Sequence, residues 1–330
     1  MLTNEYQELI GMRLLKNIYD VSGTLLIGKG TLLRKSHLEK LANFKIKTED
    51  VEVAEAGHLV PKHILEIDDF VRQNNEVPMD DVEEKLLPFI QETAKSYNLY
   101  RVFSELEEQG DFRYKQSIGV ALLATALGRR LKMDEDELDV LATAASLYDI
   151  GSVKLPSDLI HKPDRFDTNE YAIMKQHTVL GYELLSKSDV DPRIALVALQ
   201  HHEREDGSGY PEGLKGDQID RLSKIVSLVD VYVALISDRP HRQAFPFFDA
   251  IHEIHRQIRM NRFDLVIGHT FLDLLISTQV GCNVVLSDGR TGKILLTNVN
   301  YPTQPLIVLD SDEFIDLSKT DHIQIKEVIG

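Results

Sequence analysis

The stretch that most constrains this chain is His201-His202-Glu203-Arg204-Glu205-Asp206-Gly207-Ser208-Gly209-Tyr210-Pro211-Glu212-Gly213-Leu214. Two adjacent imidazoles close the apolar run Ile194-Ala195-Leu196-Val197-Ala198-Leu199, and a turn rich in glycine follows at once. Core packing does not call for that design. A histidine pair at a helix end, beside backbone freed for unusual φ and ψ, is what a metal site under a ligand loop requires. Two idle histidines near the negative end of a helix dipole are the plainer alternative. The attached Gly-Tyr-Pro turn favours the functional reading.

The rest of the 330 residues bounds what such a site can serve. This length suggests two or three structural units. A net charge of −16 argues against non-specific binding to nucleic acid or to an anionic membrane, so an anionic ligand would need a local basic or metal-containing patch. Cys282 is the only cysteine; it rules out an intrachain disulfide and reads as a small buried hydrophobe. The first residues lack the basic and apolar regions of a signal peptide, and no apolar run reaches the roughly 18 residues of a membrane span. A cytoplasmic protein is expected.

Along the chain the hydrophobic period changes three times. Residues 1–55 mix strand-like segments, Met12 to Ile18 and Thr24 to Ile27, with a turn at Asp20-Val-Ser-Gly23 and a short helix from Ser36 to Asn43: a small α+β unit. Gly28-Lys-Gly30 carries no dinucleotide or P-loop spacing and reads as a turn. Residues 56–79 read as a connector, and 80–110 as acidic helical sequence with Val82, Leu86, Ile90, Leu99, Val102, Phe103 and Leu106 on one face. Residues 111–278 alternate helical patterns with short loops, including 169–186, 192–202, 222–237, 247–259 and 263–278: a mainly α protein with an all-helical core. After Thr278 the period becomes two, with a hairpin through Asn283–Ser287 and Lys293–Thr297 and strands at 305–309 and 323–326, giving a small β appendage over 279–330.

Asp149, His177, His201, His202 and Asp230 are the metal-capable residues spaced along the helical core. Asp230 interrupts the apolar run Ile225–Leu235, where a carboxylate is costly to bury unless paired, hydrogen-bonded or bound to a cation. A salt bridge could explain Asp230 alone but not the set. Imidazoles with carboxylates suit iron, manganese or zinc.

With these residues in hand, the chain resembles the HD-GYP domains, a branch of the HD phosphohydrolases that hydrolyse cyclic di-GMP. The likeness covers about residues 111–278 and includes His201 to Leu214, Pro156-x-x-Leu159-Ile160-x-Lys162-Pro163, Met174-x-x-His177-x-x-x-Gly181, Ser237-Asp238-Arg239-Pro240 and Phe263-Asp264. It implies an HD-type helical bundle and, in the family, two adjacent metals sharing the aspartate of the His-Asp pair. Here that pair reads Tyr148-Asp149, the upstream metal histidine falls on Gln116, a glutamate before it on Phe112, a substrate-associated lysine on Ser152, and a second acid on Val233.

By that mapping Asp149, His177, His201 and His202 would hold one divalent metal, iron or manganese ahead of zinc. The other position, built from 116, 148, 149 and 230, lacks both histidines. A glutamine carbonyl is a weak ligand, and a phenol ordinarily keeps its proton to about pH 10. Two-metal hydrolysis uses both ions. The resemblance therefore implies a degenerate HD-GYP protein acting as a cyclic di-GMP sensor or interaction module, with an active phosphodiesterase or a metal-free scaffold as alternatives. Arg239 and Arg242 match basic residues that hold phosphate in the family, although two solvated arginines at a helix end explain them equally well. Gly209, Tyr210 and Pro211 match a loop associated with ligand entry and with diguanylate cyclase (GGDEF) partners. A homodimer is left open.

Overall fold

The computed structural model describes residues 9, 12–20, 23–28, 31, 33, 35–95, 112–160, 162, 164–238, 243–298, 301, 303–320 and 322–329. The N-terminal unit pairs β1 (Met12–Leu14) antiparallel with β4 (Val53–Glu55), and β2 (Ile18–Tyr19) with β3 (Leu25–Ile27). The hairpin between β2 and β3 passes Gly23, whose φ of 84° is a left-handed conformation that glycine adopts without cost. Helix α1 (Lys35–Asn43) closes a separate small core of Leu14, Ile27, Leu33, Leu38, Leu41 and Val51.

The stretch read as a connector is largely helix: α2 (Ala56–Asn74) buries Ile64, Ile67 and Val71 in the main helical core. A helical turn (Met79–Asp81) leads through a π-helical turn (Val82–Leu86) into α3 (Leu87–Thr93), with Val82, Leu86 and Ile90 buried as their spacing predicts. Leu99, Val102, Phe103 and Leu106 lie outside the described residues.

The core proper runs through α4 (Phe112–Arg130), α5 (Glu135–Leu147), a 3₁₀ turn (Ile150–Lys154), α6 (Ser157–Ile160), α7 (Thr168–Met174), α8 (Gln176–Leu185), α9 (Pro192–Gln200), α10 (Arg221–Ile236), α11 (Phe247–Arg259) and α12 (Leu265–Ser277). Aspartates open several of them. Asp134, Asp167, Asp191, Asp220 and Asp264 each accept a backbone N–H of the first turn, satisfying donors that a helix start leaves orphaned. The expected all-helical architecture is what the chain adopts, and between α4 and α12 no strand is described.

Helix α10 is apolar on nearly all sides, burying Leu222, Ile225, Val226, Leu228, Val229, Tyr232 and Val233, so it lies at the centre and packs against α4, α9, α11 and α12. Such burial contributes on the order of 1.5–3 kcal/mol per large side chain. It places Asp230, on the same helix, inside the bundle.

The C-terminal sheet has the antiparallel order β8-β7-β6-β5-β9, with β5 (Asn283–Leu286), β6 (Thr291–Leu296), β7 (Leu306–Leu309), β8 (Phe314–Asp316) and β9 (Ile325–Ile329). The hairpin read from sequence is β5–β6, in register Val284↔Gly292. Strand β8 has only three residues and no alternation to betray it. Phe248 of α11 enters the sheet's apolar core beside Val284, Leu286, Ile294 and Ile307, tying the sheet to the helices.

Candidate metal centre and ligand loop

Two glycines bring the site together. Gly151, in the 3₁₀ turn after Asp149, approaches α8 so closely that a Cβ there would run into the His177 carbonyl oxygen and the Gly181 backbone. Only a residue without a side chain allows this approach, and it sets Asp149 beside His177. The Asp149 Oδ1 stands 3.7 Å from His177 Nε2. From the other side α9 ends at His201 and His202.

Among the described residues, His177, His201 and His202 form a group whose ligand atoms all lie within 4.8 Å of one another. The Nδ1 atom of His177 faces the Met174 carbonyl at 2.6 Å, and that of His201 faces the Val197 and Ala198 carbonyls at 3.2 and 2.9 Å. Carbonyl oxygens only accept, so both Nδ1 atoms carry hydrogen. The two Nε2 atoms then face each other at 3.2 Å. In neutral rings this points one lone pair at another, which is repulsive unless a cation lies between them.

A proton on His201 or on His202 is disfavoured. Burial, followed by the neighbouring imidazole of His177, holds His201 well below the usual histidine range, and burial with His201 and His177 does the same to His202. A divalent metal fits: 3.2 Å is the separation of adjacent nitrogen ligands each about 2.1 Å from one ion. The carbonyls behind Nδ1 supply the outer hydrogen bonds that orient metal-binding imidazoles.

The other half of the site is built differently. Asp230 is only 6% exposed, and its Oδ1 accepts from Gln116 Nε2 at 2.6 Å and from the Tyr148 hydroxyl at 2.7 Å. Tyr148 also stands edge-on to His201, with ring centroids 5.0 Å apart. Asp230 is thus satisfied by two neutral donors and lies outside the histidine group. Ser152 is buried, and with Asp68 of α2 and Asp149 it lines a cavity of about 30 Å³. The side chain of Phe112 and the whole of Arg239 and Arg242 lie outside the described residues.

The Gly-Tyr-Pro loop is anchored from below. Glu203, 2% exposed, accepts the backbone N–H groups of Glu212, Gly213 and Leu214 at 2.8, 3.1 and 2.9 Å. Arg204 Nη1 donates to the carbonyls of His201 and Glu203 and to Ser227 Oγ, while its guanidinium covers the Phe263 ring at 5.2 Å. A Cβ at Gly209 would strike the backbone of His202, Glu203 and Arg204, so glycine is required there. Gly207 sits at φ 81°, and the bond between Tyr210 and Pro211 is cis. These contacts lay the Tyr210 ring on the His202 ring, 4.6 Å between centroids and 25° from parallel. Burial, then Tyr171 and the carboxylates of Asp230 and Asp149, push the Tyr210 phenol upward, so it stays protonated.

The structure therefore brings Asp149, His177, His201, His202 and Tyr210 to one place, with Gly209 and Pro211 shaping the loop and Asp230 set aside behind Gln116 and Tyr148. Sequence reading missed the anchoring role of Glu203. Its signal was a carboxylate inside the glycine-rich stretch, one residue beyond the histidine pair.

The model of the HD domain matches residues 79–267, more than half of the chain. A cyclic di-GMP phosphodiesterase response regulator of Xanthomonas campestris is 39% identical over 139 residues, 41% of this chain and 36% of that protein. A cyclic di-GMP phosphodiesterase of Pseudomonas aeruginosa is 32% identical over 192 residues, 58% of this chain and 46% of that one. A 3′3′-cGAMP-specific phosphodiesterase of Vibrio cholerae is 34% identical over 161 residues, 48% of this chain and 30% of that protein. The chain thus spans less than half the length of each of these relatives. Among solved structures, an HDG"Y"P protein of Bdellovibrio bacteriovorus shares the fold, with a TM-score of 0.53 and 16% identity over 81% of this chain and 94% of that one. No helix among the described residues is long and apolar enough to cross a membrane. With the family model spanning most of the helical core and the His-His to Gly-Tyr-Pro segment folded around three clustered imidazoles, the chain belongs to the HD domain family, in its HD-GYP branch.

Proposed function

We propose that this chain serves cyclic-dinucleotide signalling as a binding and interaction module, holding one divalent metal and hydrolysing its ligand little or not at all. The observation that carries the reading is the pair of hydrogen bonds on Asp230. Where a second ion would be held, Gln116 and Tyr148 already donate to the same carboxylate oxygen at 2.6 and 2.7 Å. A buried carboxylate needs an opposing donor or cation, and this one has two donors. An ion bound through that oxygen would compete with both donors, and Gln116 and Tyr148 offer it only a weak amide carbonyl and a protonated phenol in return.

His177, His201, His202 and Asp149 are the residues that would hold the single metal, a donor set that suits iron, manganese or zinc. When bound, such an ion supplies Lewis acidity toward a phosphoryl oxygen. The chain's own residues do the rest. Carbonyls 174, 197 and 198 fix the imidazole tautomers, and the Glu203 carboxylate holds the loop that brings Tyr210 over His202. Beside Asp149 the buried Ser152 hydroxyl stands where the family carries a lysine, and the residues lining the small cavity there include no cationic side chain. That arrangement withholds the charge stabilisation that is usually the largest catalytic contribution.

The experiment is elemental analysis of protein purified without chelator, followed by incubation with cyclic di-GMP. One metal per chain, binding of the nucleotide and no turnover support the reading. Two metals per chain with turnover in the ordinary enzymatic range, on the order of 1 s⁻¹ or faster, would establish the active phosphodiesterase instead.

A further inference from the structure

The rings of the site do not stop at the metal cluster. His202 stacks on Tyr210, and Tyr210 meets Tyr171 of α7 edge-to-face, with centroids 6.3 Å apart and planes at 76°. Tyr171 is 47% exposed, a large aromatic ring left in water at the end of a continuous aromatic path from the histidines to the surface. The Lys175 ammonium lies 5.1 Å from the Tyr171 ring centroid and 5.6 Å from that of Tyr210. Among the described residues Lys175 makes no ion pair. By contrast Lys162, nearby in sequence, is taken up by Glu170 at 2.6 Å. In a chain of net charge −16, a cation over two rings and without a carboxylate partner leaves a positive spot beside the imidazole cluster.

Helix α7 supplies this notch for reasons of its own sequence. Asp167 and Glu170 form a reciprocal capping box that fixes the helix start. Tyr171 and Lys175 are then four residues apart on one face across the junction of α7 and α8, the spacing at which a tyrosine and a lysine meet. His177, two residues farther along, carries the same junction into the metal cluster.

We infer that Tyr171 and Lys175 form a nucleotide subsite of this protein: Tyr171 stacks a purine base of a bound cyclic dinucleotide, and Lys175 takes the phosphate attached to it. The inference rests on the reading of the site as a cyclic-dinucleotide binder and adds the residues that hold the base. An exposed ring face next to an ammonium with no ion pair among the described residues matches the two chemistries of a nucleotide, a flat π-surface and an anion. A protein interface would also use an exposed tyrosine, and the test separates the two.

The chain contains no tryptophan. Tyr171→Trp therefore introduces a single emitter at the proposed stacking face. With metal-loaded full-length protein, cyclic di-GMP should quench that emission with the same midpoint that calorimetry gives for the wild type. Tyr171→Ala should weaken binding by about tenfold or more, Tyr171→Phe should leave it within about twofold, and Lys175→Gln should weaken it about tenfold and flatten its dependence on salt. If the wild type binds and the Tyr171→Trp emission does not respond, or Tyr171→Ala binds as well as the wild type, the subsite is wrong while the functional reading stands. If the wild type does not bind cyclic di-GMP at all, the functional reading fails and the subsite with it.

Discussion

Replacing Glu203 by glutamine tests whether one buried carboxylate holds the ligand loop. The side chain accepts three backbone N–H groups, from Glu212, Gly213 and Leu214, at 2.8, 3.1 and 2.9 Å. Hydrogen bonds to a carboxylate contribute about 1.5–3 kcal/mol each. Their sum is not the expected loss, because the segment it holds reaches solvent: Glu212 is exposed, and Gly213 and Leu214 are partly so. Once detached, those amides bond to water, so the cost cannot exceed the free energy of opening the loop. Glutamine keeps the shape and one acceptor oxygen but turns the other into a donor, which faces an N–H group. We expect Glu203→Gln to lose about 2–3 kcal/mol. For a helical domain of this size that lowers Tm by roughly 4–10 °C. By native-state hydrogen exchange, the amides of residues 212–214 should lose protection by roughly 30- to 150-fold, because about 1.4 kcal/mol is tenfold. The amides of α5 and α10 should change only through global stability. Unaltered exchange at 212–214 with an unaltered Tm would refute the anchor.

Other perturbations reach other parts of the site. Gly151→Ala forces a Cβ into the His177 carbonyl and the Gly181 backbone; it should cost about 3 kcal/mol or more and, at temperatures where circular dichroism still shows the fold, abolish the bound metal by elemental analysis. His201 and His202 are held well below 6.5 in the fold, so the unfolded chain binds protons first as pH falls through 6.5. The metal-free protein should therefore keep its stability above that pH and lose up to about 2.7 kcal/mol per unit below it, and a urea-denaturation profile flat from pH 7 to 5.5 would contradict this. In the double variant Gln116→His with Tyr148→His, Asp230 loses both neutral donors and imidazoles replace them; a second metal per chain is expected, with a Tm that rises when metal is added, whereas a metal count that stays at one means the histidines alone do not define the position.

The helical periodicity from residue 111 to 278 and the switch to period two after Thr278 are legible in the sequence because each follows from local pattern, whereas the grouping of Asp149, His177, His201 and His202 apart from Asp230 comes from the family resemblance. The helix at 56–74 is hidden there, since Pro61 and the polar ends of the segment mask an apolar stripe of Ile64, Ile67 and Val71 that only tertiary packing reveals. Strand β8 is too short to show a period. The fate of Asp230 is half legible: its cost of burial is evident, but the convergence of Gln116 and Tyr148 on one oxygen depends on contacts 114 and 82 residues away. Tyr171 and Lys175 carry no signal, since a tyrosine four residues from a lysine reads as an ordinary solvated helix face.

The contacts within the His-His-Glu-Arg-x-Asp-Gly-x-Gly-Tyr-Pro segment are largely those that fold its loop. Glu203 holds three amides of the loop. Arg204 bonds two carbonyls and Ser227 and covers Phe263. The Asp206 carboxylate accepts the Ser208 N–H, Gly207 takes a left-handed φ, and Gly209 leaves room for the backbone beneath it. With Pro211, six of the segment's defining residues shape the loop, and His201, His202 and Tyr210 form its stacked rings. Gln116, Tyr148 and Asp230, where the family resemblance would put a second metal, lie on three other stretches of the chain and make none of these loop-anchoring hydrogen bonds. The loop and the surroundings of Asp230 are thus held by different sets of hydrogen bonds. On the proposed reading, the test of hydrolysis lies around Asp230, where Gln116 and Tyr148 both donate to Oδ1.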